Sequence, residues 1–188
     1  MGTKAKIFLG LAVGFTVLCV VLLIALGVVI VHPYEYTRDF EQVKCTGITV
    51  QEHGYLECSC STKTATCWSV FPCKEITVQY LPLGGPERQS ILFKDYDALY
   101  DDRPCSLVPC DPSPKTNEVS VEWFAKRHTG SSSFDCYVNP TATHEVILEL
   151  PDALAVTMAM VWPSIGFVIG LVTICLIMNR SKVLHITD

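Results

Sequence analysis

CTGITVQEHGYLECSCSTKTATCWSVFPC, residues 45–73, contains five cysteines. Three more follow at Cys105, Cys110 and Cys136, so eight of the ten cysteines of this 188-residue chain lie between positions 45 and 136. An even number of clustered cysteines is typical of a disulfide framework formed outside the cytosol. Eight cysteines allow 105 pairings, and the residues alone do not choose among them.

Two apolar runs bracket this cluster. Residues 7–31 and 153–178 contain no charged side chain, and each is longer than the ~20 residues that a helix needs to cross a bilayer. The alternative for the first run is a signal peptide, but its apolar part exceeds the roughly 7–15 residues of a signal h-region and no small-residue cleavage site follows. The sequence therefore predicts a membrane protein with two transmembrane α-helices, 7–31 and 153–178, flanking a disulfide-rich small α+β extracellular domain, 32–152.

The charges divide unevenly along the chain. Residues 32–152 carry 10 Lys and Arg against 18 Asp and Glu, a net charge of −8, whereas the ends, 1–6 and 179–188, carry four basic residues and one acidic residue, a net charge of +3. Basic residues near span ends favour the cytoplasmic side. We therefore expect a plasma-membrane protein with both ends cytosolic and the loop extracellular. The acidic loop argues against a nucleic-acid partner, because phosphate binding needs a basic surface.

Each predicted span contains a Gly-xxx-Gly step, Gly10 with Gly14 and Gly166 with Gly170. Such a step lets a second helix approach closely. Because the helices run in opposite directions, both steps lie toward the cytoplasmic half, where a direct contact between the spans would form. The other interpretation, that glycine is simply common in membrane helices, stays open.

Aromatic residues and prolines mark the spans as well. Trp162 and Pro163 predict a kink in the second helix. Tyr34 and Tyr36 follow the end of the first helix and suit the headgroup level, so we expect both to be membrane-interface anchors in direct contact with the lipid bilayer.

Several strands are predicted within 32–152. Residues 45–51 and 55–60 are predicted to form two short strands separated by a turn at Gly54. Residues 74–81 and 89–94 read as the strands of a hairpin with a long loop.

One short helix is predicted in this domain. Asn117 would cap its N-terminus, and the helix would run to about Arg127 with Trp123 and Phe124 in the core. Residues 145–150 are either a last strand or a lead-in to the second span.

Residue patterns that carry chemistry are not found. The sequence has no nucleophile elbow, phosphate loop or His-Glu-x-x-His motif, so we predict no enzyme, no cofactor and no small-molecule substrate. Cys58-Ser-Cys60 near His53 is spaced more closely than zinc ligands usually are, which favours disulfides over a metal site. Neither span carries an ionisable residue or a filter sequence, which argues against a pore. The layout instead indicates an accessory subunit of another membrane protein.

The cysteine motifs and the two spans resemble one family. The matching residues are Lys44-Cys45-Thr, Glu57-Cys58, Phe71-Pro-Cys73, Arg103-Pro-Cys105-Ser-Leu-Val-Pro-Cys110, Phe134-Asp-Cys136-Tyr and Trp162-Pro163. They resemble the β subunits of large-conductance calcium- and voltage-activated potassium (BK) channels, and the cysteine-rich insertion between 45 and 73 is similar to that of the neuronal β4 type.

This resemblance implies an auxiliary subunit, with up to four copies around a tetrameric pore-forming α subunit, that modulates calcium- and voltage-dependent gating and outer-pore pharmacology. It also implies disulfides between Cys45 and Cys136 and between Cys73 and Cys105. The four remaining cysteines would pair among themselves: Cys58, Cys60, Cys67 and Cys110.

The chain departs from the family pattern in three respects. Six residues precede the first span, so no N-terminal inactivation segment is expected; the loop lacks the usual glycosylation sequons; and it is strongly acidic. Two alternatives stay open: a two-span accessory subunit of a voltage-gated sodium channel, as in the insect family of similar layout, and a single-span adhesion or receptor ectodomain left after signal cleavage.

Overall fold

The computed structural model describes residues 3–61, 65–82, 84–130 and 132–186. The predicted cytosolic ends, 1–6 and 179–188, therefore lie partly outside the described residues. The chain divides into two units: a helical unit, Met1–Glu35 with Asp152–Asp188, and a sheet unit, Tyr36–Pro151. In chain order the elements are α1 (Thr3–Leu26), a π-helical turn (Gly27–Val31), α2 (His32–Thr37), β1 (Glu41–Ser61), β2 (Thr66–Tyr80), β3 (Arg88–Phe93), α3 (Tyr96–Leu99), α4 (Pro114–His128), β4 (Ser133–Val138), β5 (Val146–Ile147) and α5 (Ala153–Ile186).

The helical unit contains the two apolar helices. Lys6–Thr37 and Ala153–Arg180 are long and apolar enough to cross a membrane. The protein is thus a two-span membrane protein whose helices flank a disulfide-rich, sheet-rich domain. Helix α5 continues through Pro163, and the kink there stays a prediction.

The sheet unit is built on a closed barrel with the strand order β1-β2-β3-β5-β4. All pairs are antiparallel except β3 with β5. Within the barrel each strand is paired on both sides, so closure leaves no unpaired edge there. The barrel core contains Val43, Cys45, Ile76, Val78, Tyr80, Leu92, Cys136, Val138 and Val146, with Phe124 and Ala125 of α4.

The prediction of two strands around a turn at Gly54 is wrong. Residues 41–61 form the single strand β1, whose register shifts twice, between Gly47 and Thr49 and between Glu52 and Tyr55. Gly54 has a φ of +83°, a conformation that glycine adopts without steric cost, and so it forms part of a bulge instead of a turn. A Cβ at Gly47 would overlap the His128 carbonyl, so this glycine permits the end of α4 to approach the strand.

The predicted hairpin over 74–81 and 89–94 is confirmed as the antiparallel pair β2–β3. Its loop includes Leu83, which lies outside the described residues. β2 begins at Thr66, earlier than predicted. Only its last residues pair with β3, so residues 51–61 and 66–75 form a two-stranded ribbon that extends beyond the barrel.

Helix α4 begins at Pro114 after Ser113, so the prediction of Asn117 as its N-cap is wrong. Proline is favoured at a first helical position because the backbone N–H that it lacks would have no partner there. Phe124 is buried as predicted, but Trp123 is 59% exposed and does not belong to the core.

The last two strands complete the barrel. Of the two readings of residues 145–150, the strand is right, since β5 covers Val146–Ile147 and lies between β3 and β4. β4, Ser133–Val138, was not predicted; its alternation is hidden because Cys136 is one of its inward-facing residues.

Candidate functional site

The two membrane helices contact each other through the second glycine step. A Cβ atom at Gly166 would lie 3.0 Å from the Cys19 sulfur, and one at Gly170 would overlap the Thr16 hydroxyl. Thr16 and Cys19 are 8% and 4% exposed. Small groups on both helices therefore allow an approach that larger side chains would block.

The polar groups of this contact are satisfied within their own helix. The Thr16 hydroxyl donates to the Ala12 carbonyl at 2.8 Å, so it brings no unpaired donor into the apolar interface. Ala12 and Thr16 are small residues four positions apart, as in a Gly-xxx-Gly step. This pattern in the sequence would have located the contact on α1. Cys19 is a free thiol packed as a small apolar group, and Cys175 is also free but exposed.

The first glycine step faces away from α5. Among the described residues, no atom outside α1 lies within 4 Å of a Cβ placed at Gly10 or Gly14, and both glycines are exposed. The predicted contact between the spans thus forms at Gly166 and Gly170 but not at Gly10 and Gly14. Thr16, which makes the contact, lies two residues beyond Gly14 and so about 200° around the helix.

The other faces of the helices are apolar and open. Hydroxyls on α5 donate back to carbonyls of the preceding turn at 2.8 Å: Thr157 to Ala153, Ser164 to Met160 and Thr173 to Ile169. Trp162, one residue before Pro163, is 72% exposed. Such faces suit lipid or the helices of a second membrane protein.

Four disulfides hold the sheet unit. They join Cys45 to Cys136, Cys73 to Cys105, Cys58 to Cys110 and Cys60 to Cys67. The first two are the pairings that the family resemblance implies, and the other two resolve the four cysteines left open.

Each disulfide has a distinct place. Cys45–Cys136 joins the neighbouring strands β1 and β4 inside the barrel, where both residues are fully buried. Cys60–Cys67 joins directly paired residues near the end of the ribbon. The other two fasten the ribbon to the segment 105–110, and the second small core forms there around Phe71.

Asn117 fastens α4 to the ribbon. Its side chain is fully buried; its amide nitrogen donates to Ser69 Oγ and to the carbonyls of Val70 and Asp111 at 3.0–3.1 Å. Its amide oxygen accepts from the Asp111 N–H at 2.8 Å. The residue predicted as a helix cap is thus a buried hydrogen-bonding centre.

Tyr36 lies in an aromatic cluster of the sheet unit. Its hydroxyl donates to the Glu145 carboxylate at 2.8 Å, and its ring centroid lies 5.6 Å from that of Tyr96 and 5.3 Å from that of Tyr100. The rings of Tyr96 and Tyr100 stack at 4.5 Å. The membrane-interface roles of Tyr36 and Tyr34 stay predictions.

Two ion-pair groups connect the ribbon to its surroundings. Lys74 Nζ lies 2.5 Å from Glu122 and 2.9 Å from Glu52, and hydrogen bonds to these two carboxylates raise the pKa of Lys74. Arg103 contacts Asp101 at 2.5 Å and lies over the Phe71 ring. The hydrogen bond from Arg103 lowers the pKa of Asp101, so this pair stays charged at neutral pH.

Within the part of the chain that the structure describes, no three histidine, cysteine, aspartate or glutamate side chains are grouped as metal ligands would be. The prominent features are surfaces: open apolar helix faces and a cross-linked domain. Such surfaces support association with another membrane protein.

The chain is similar to known channel subunits. A family model described as calcium-activated potassium channel, beta subunit, matches residues 2–186. The chain is 28% identical over 141 residues to calcium-activated potassium channel subunit beta-4 of Rattus norvegicus, covering 70% of this chain and 65% of that protein. It is 27% identical over 146 residues to the Homo sapiens subunit beta-4, covering 72% and 67%. The matched part thus spans about two thirds of these curated relatives.

Proposed function

Because this chain belongs to the β subunit family of calcium-activated potassium channels, we propose that it is an auxiliary subunit that binds the pore-forming α subunit of a BK-type potassium channel and modulates its gating. The family match carries this proposal, since it covers both membrane helices and the whole sheet unit between them. The names of the two relatives point to the same kind of channel. Neither the sodium-channel alternative nor the adhesion alternative gains support from these similarities.

The sheet unit lies outside the cell and both ends of the chain lie in the cytosol of this plasma-membrane protein. Four disulfides in the sheet unit support this orientation, because disulfides persist in oxidising compartments. The basic residues at the two ends support it as well.

The helical unit carries the coupling to gating. Gly10 and Gly14 lie on a face that α5 leaves open, and a helix of the α subunit packs there. A bound subunit shifts a channel equilibrium only by its differential affinity for two conformations. We therefore place the gating shift in helix contacts that differ between the resting and active voltage sensor.

The sheet unit acts at the outer mouth of the pore, with up to four copies around the channel. Its excess of carboxylates attracts K⁺ and basic peptide toxins, and screening over ~8 Å at physiological ionic strength restricts the effect to groups close to the pore axis. This part of the proposal concerns outer-pore pharmacology rather than gating.

Co-expression with a BK α subunit tests the proposal. Currents recorded from excised patches at fixed calcium should have a changed activation midpoint or changed activation kinetics relative to the α subunit alone. Unchanged currents, although the two proteins purify together from the cell surface, would contradict a gating role.

A variant pair locates the contact. Gly10→Leu/Gly14→Leu should reduce co-purification with the α subunit at least threefold, because two bulky side chains would separate the helices. Val20→Leu is the matched control, since it enlarges an exposed apolar residue of α1 that lies about 100° around the helix from the glycine step. Equal loss in both variants would place the contact elsewhere, and capture of a sodium channel instead would favour that alternative.

A further inference from the structure

The sheet unit contains an open cavity of about 980 Å³ between α4, the segment 94–109 and the start of β4. Its apolar wall is formed by Leu107, Val108, Val119, Trp123, Phe124 and Phe134. Pockets of ~300–1,000 Å³ with aromatic walls and few polar groups are typical binding sites for small organic molecules.

His128 lies in the wall of this cavity with an unsatisfied nitrogen. The residue is 8% exposed, and its ring packs 4.8 Å from the Phe124 ring and 4.7 Å from the Phe134 ring. Across the residues that the structure describes, its Nδ1 has no hydrogen-bond partner. Burial lowers the pKa of His128, so the imidazole is neutral at pH 7. A buried polar group without a hydrogen-bond partner lowers the stability of the folded protein. A ligand that forms a hydrogen bond with His128 Nδ1 would reduce this penalty.

Four acidic residues and two basic residues, Lys94 and Arg127, line the cavity. Lys94 lies 3.5 Å from Asp95 and 3.9 Å from Glu149, so its charge is shared between two carboxylates. Asp101, also on the rim, is paired with Arg103. Over the described ranges of the chain, no basic side chain forms an ion pair with Asp97.

The aromatic wall already binds one cation. The guanidinium of Arg127 lies 4.9 Å from the centroid of the Trp123 ring, within the ~6 Å over which a cation is attracted to an aromatic face. The cavity therefore combines an apolar body, an uncompensated carboxylate and aromatic rings that favour positive charge.

We propose that this cavity binds a monocationic arylalkylamine, whose ring packs against Trp123 and Phe124, whose ammonium group pairs with Asp97 and whose ring polar group bonds to His128. An anionic ligand of the same shape should bind more weakly, because the excess of carboxylates in the cavity lining repels it. This site is independent of the channel contact proposed above.

Two probes of matched shape test the site on the full chain in lipid nanodiscs: tryptamine and indole-3-propionate, which share the indole ring but carry opposite charges at pH 7.4. Binding is followed by saturation-transfer NMR and by chemical-shift changes. Tryptamine should bind saturably with a Kd on the order of 1 mM, as expected for a ligand of this size. Indole-3-propionate should bind at least tenfold more weakly, and equal binding of the two probes would overturn the proposal.

Three variants locate the probe. Asp97→Asn should weaken tryptamine at least threefold, whereas Glu118→Gln, the same change on an exposed part of α4 outside the cavity, should leave it unchanged. Val119→Trp, at a cavity residue 60% exposed and so tolerant of a larger side chain, should abolish saturable binding. Binding that survives Val119→Trp, or an equal loss in the Asp97 and Glu118 variants, would overturn the proposal.

Discussion

The helical unit and the sheet unit are stabilised in opposite ways. The sheet unit closes its own barrel and adds four disulfides, so its core is completed by its own residues. In the described part of the helical unit the two helices approach closely at Gly166 and Gly170, and most of the large apolar side chains are exposed. The difference agrees with the proposed division of roles, in which the sheet unit is the cross-linked extracellular domain and the helical unit offers surface to lipid and to a partner.

The largest expected effect concerns the covalent part of the sheet unit. Cys45→Ala/Cys136→Ala removes a link between residues 91 apart, and Cys60→Ala/Cys67→Ala removes one between residues 7 apart. In the chain-entropy model the first should lower the free energy of unfolding of the sheet unit by about 4.6 kcal/mol and the second by about 2.4 kcal/mol. Urea unfolding followed by near-ultraviolet circular dichroism measures both. A larger loss from the short loop would mean that local strain, not loop length, dominates.

Asn117→Ala should have the next largest effect on the free energy of unfolding. It leaves the partly buried Asp111 N–H and Val70 carbonyl without their side-chain partner, and the loss should lower the free energy of unfolding by about 2 kcal/mol. Trp123→Ala on the same helix is the control, because the indole is mostly exposed and should cost well under that amount. If the two variants lost equal stability, Asn117 would not be the residue that fastens α4 to the ribbon.

The same contrast explains what could be predicted from the sequence. Uncharged runs identify both apolar helices, because crossing a bilayer needs only length and hydrophobicity. Trp123 and Asn117 were both misassigned, because residue type favours a buried tryptophan and a capping asparagine. The contacts that decide the place of Asn117, with Ser69 and Val70 of the ribbon, are distant in sequence.

The glycines have different structural roles, and residue type alone does not predict which role each one has. Gly54 was predicted to end a strand, but it forms part of a bulge within β1 because the partner strand continues past it. Gly10 and Gly166 begin identical motifs, and only the rotation of α1 against α5 determines which one is covered. The inner disulfides were open for the same reason, since the pairing depends on the register of β1 with β2.

Gly170→Leu should separate the two membrane helices. The added side chain would overlap Thr16, and overpacking of this kind costs roughly 1–3 kcal/mol. Cross-linking of cysteines placed on the two helices, in a background without Cys19 and Cys175, should fall in this variant.

Gly14→Leu tests the opposite face of α1 with the same change. Its added side chain meets open space, so cross-linking between the helices should stay at the wild-type level while co-purification with a channel falls. Reduced cross-linking in both variants would remove the distinction between the two glycine steps.

His128 provides the smallest expected effect, which is confined to the sheet unit. Burial, with the neighbouring Arg127, lowers the pKa of His128 in the folded chain below the ~6.5 of an unfolded histidine. Above that value the imidazole is neutral in both states and stability is unaffected. As the pH falls through ~6.5, the unfolded chain binds a proton that the folded chain resists, so stability decreases until the folded pKa is passed. His128→Phe should therefore lose less stability than the wild type between pH 7.5 and 5.5. His144→Phe, at an exposed site, is the control, and identical pH profiles in all three proteins would show that His128 is not the group responsible.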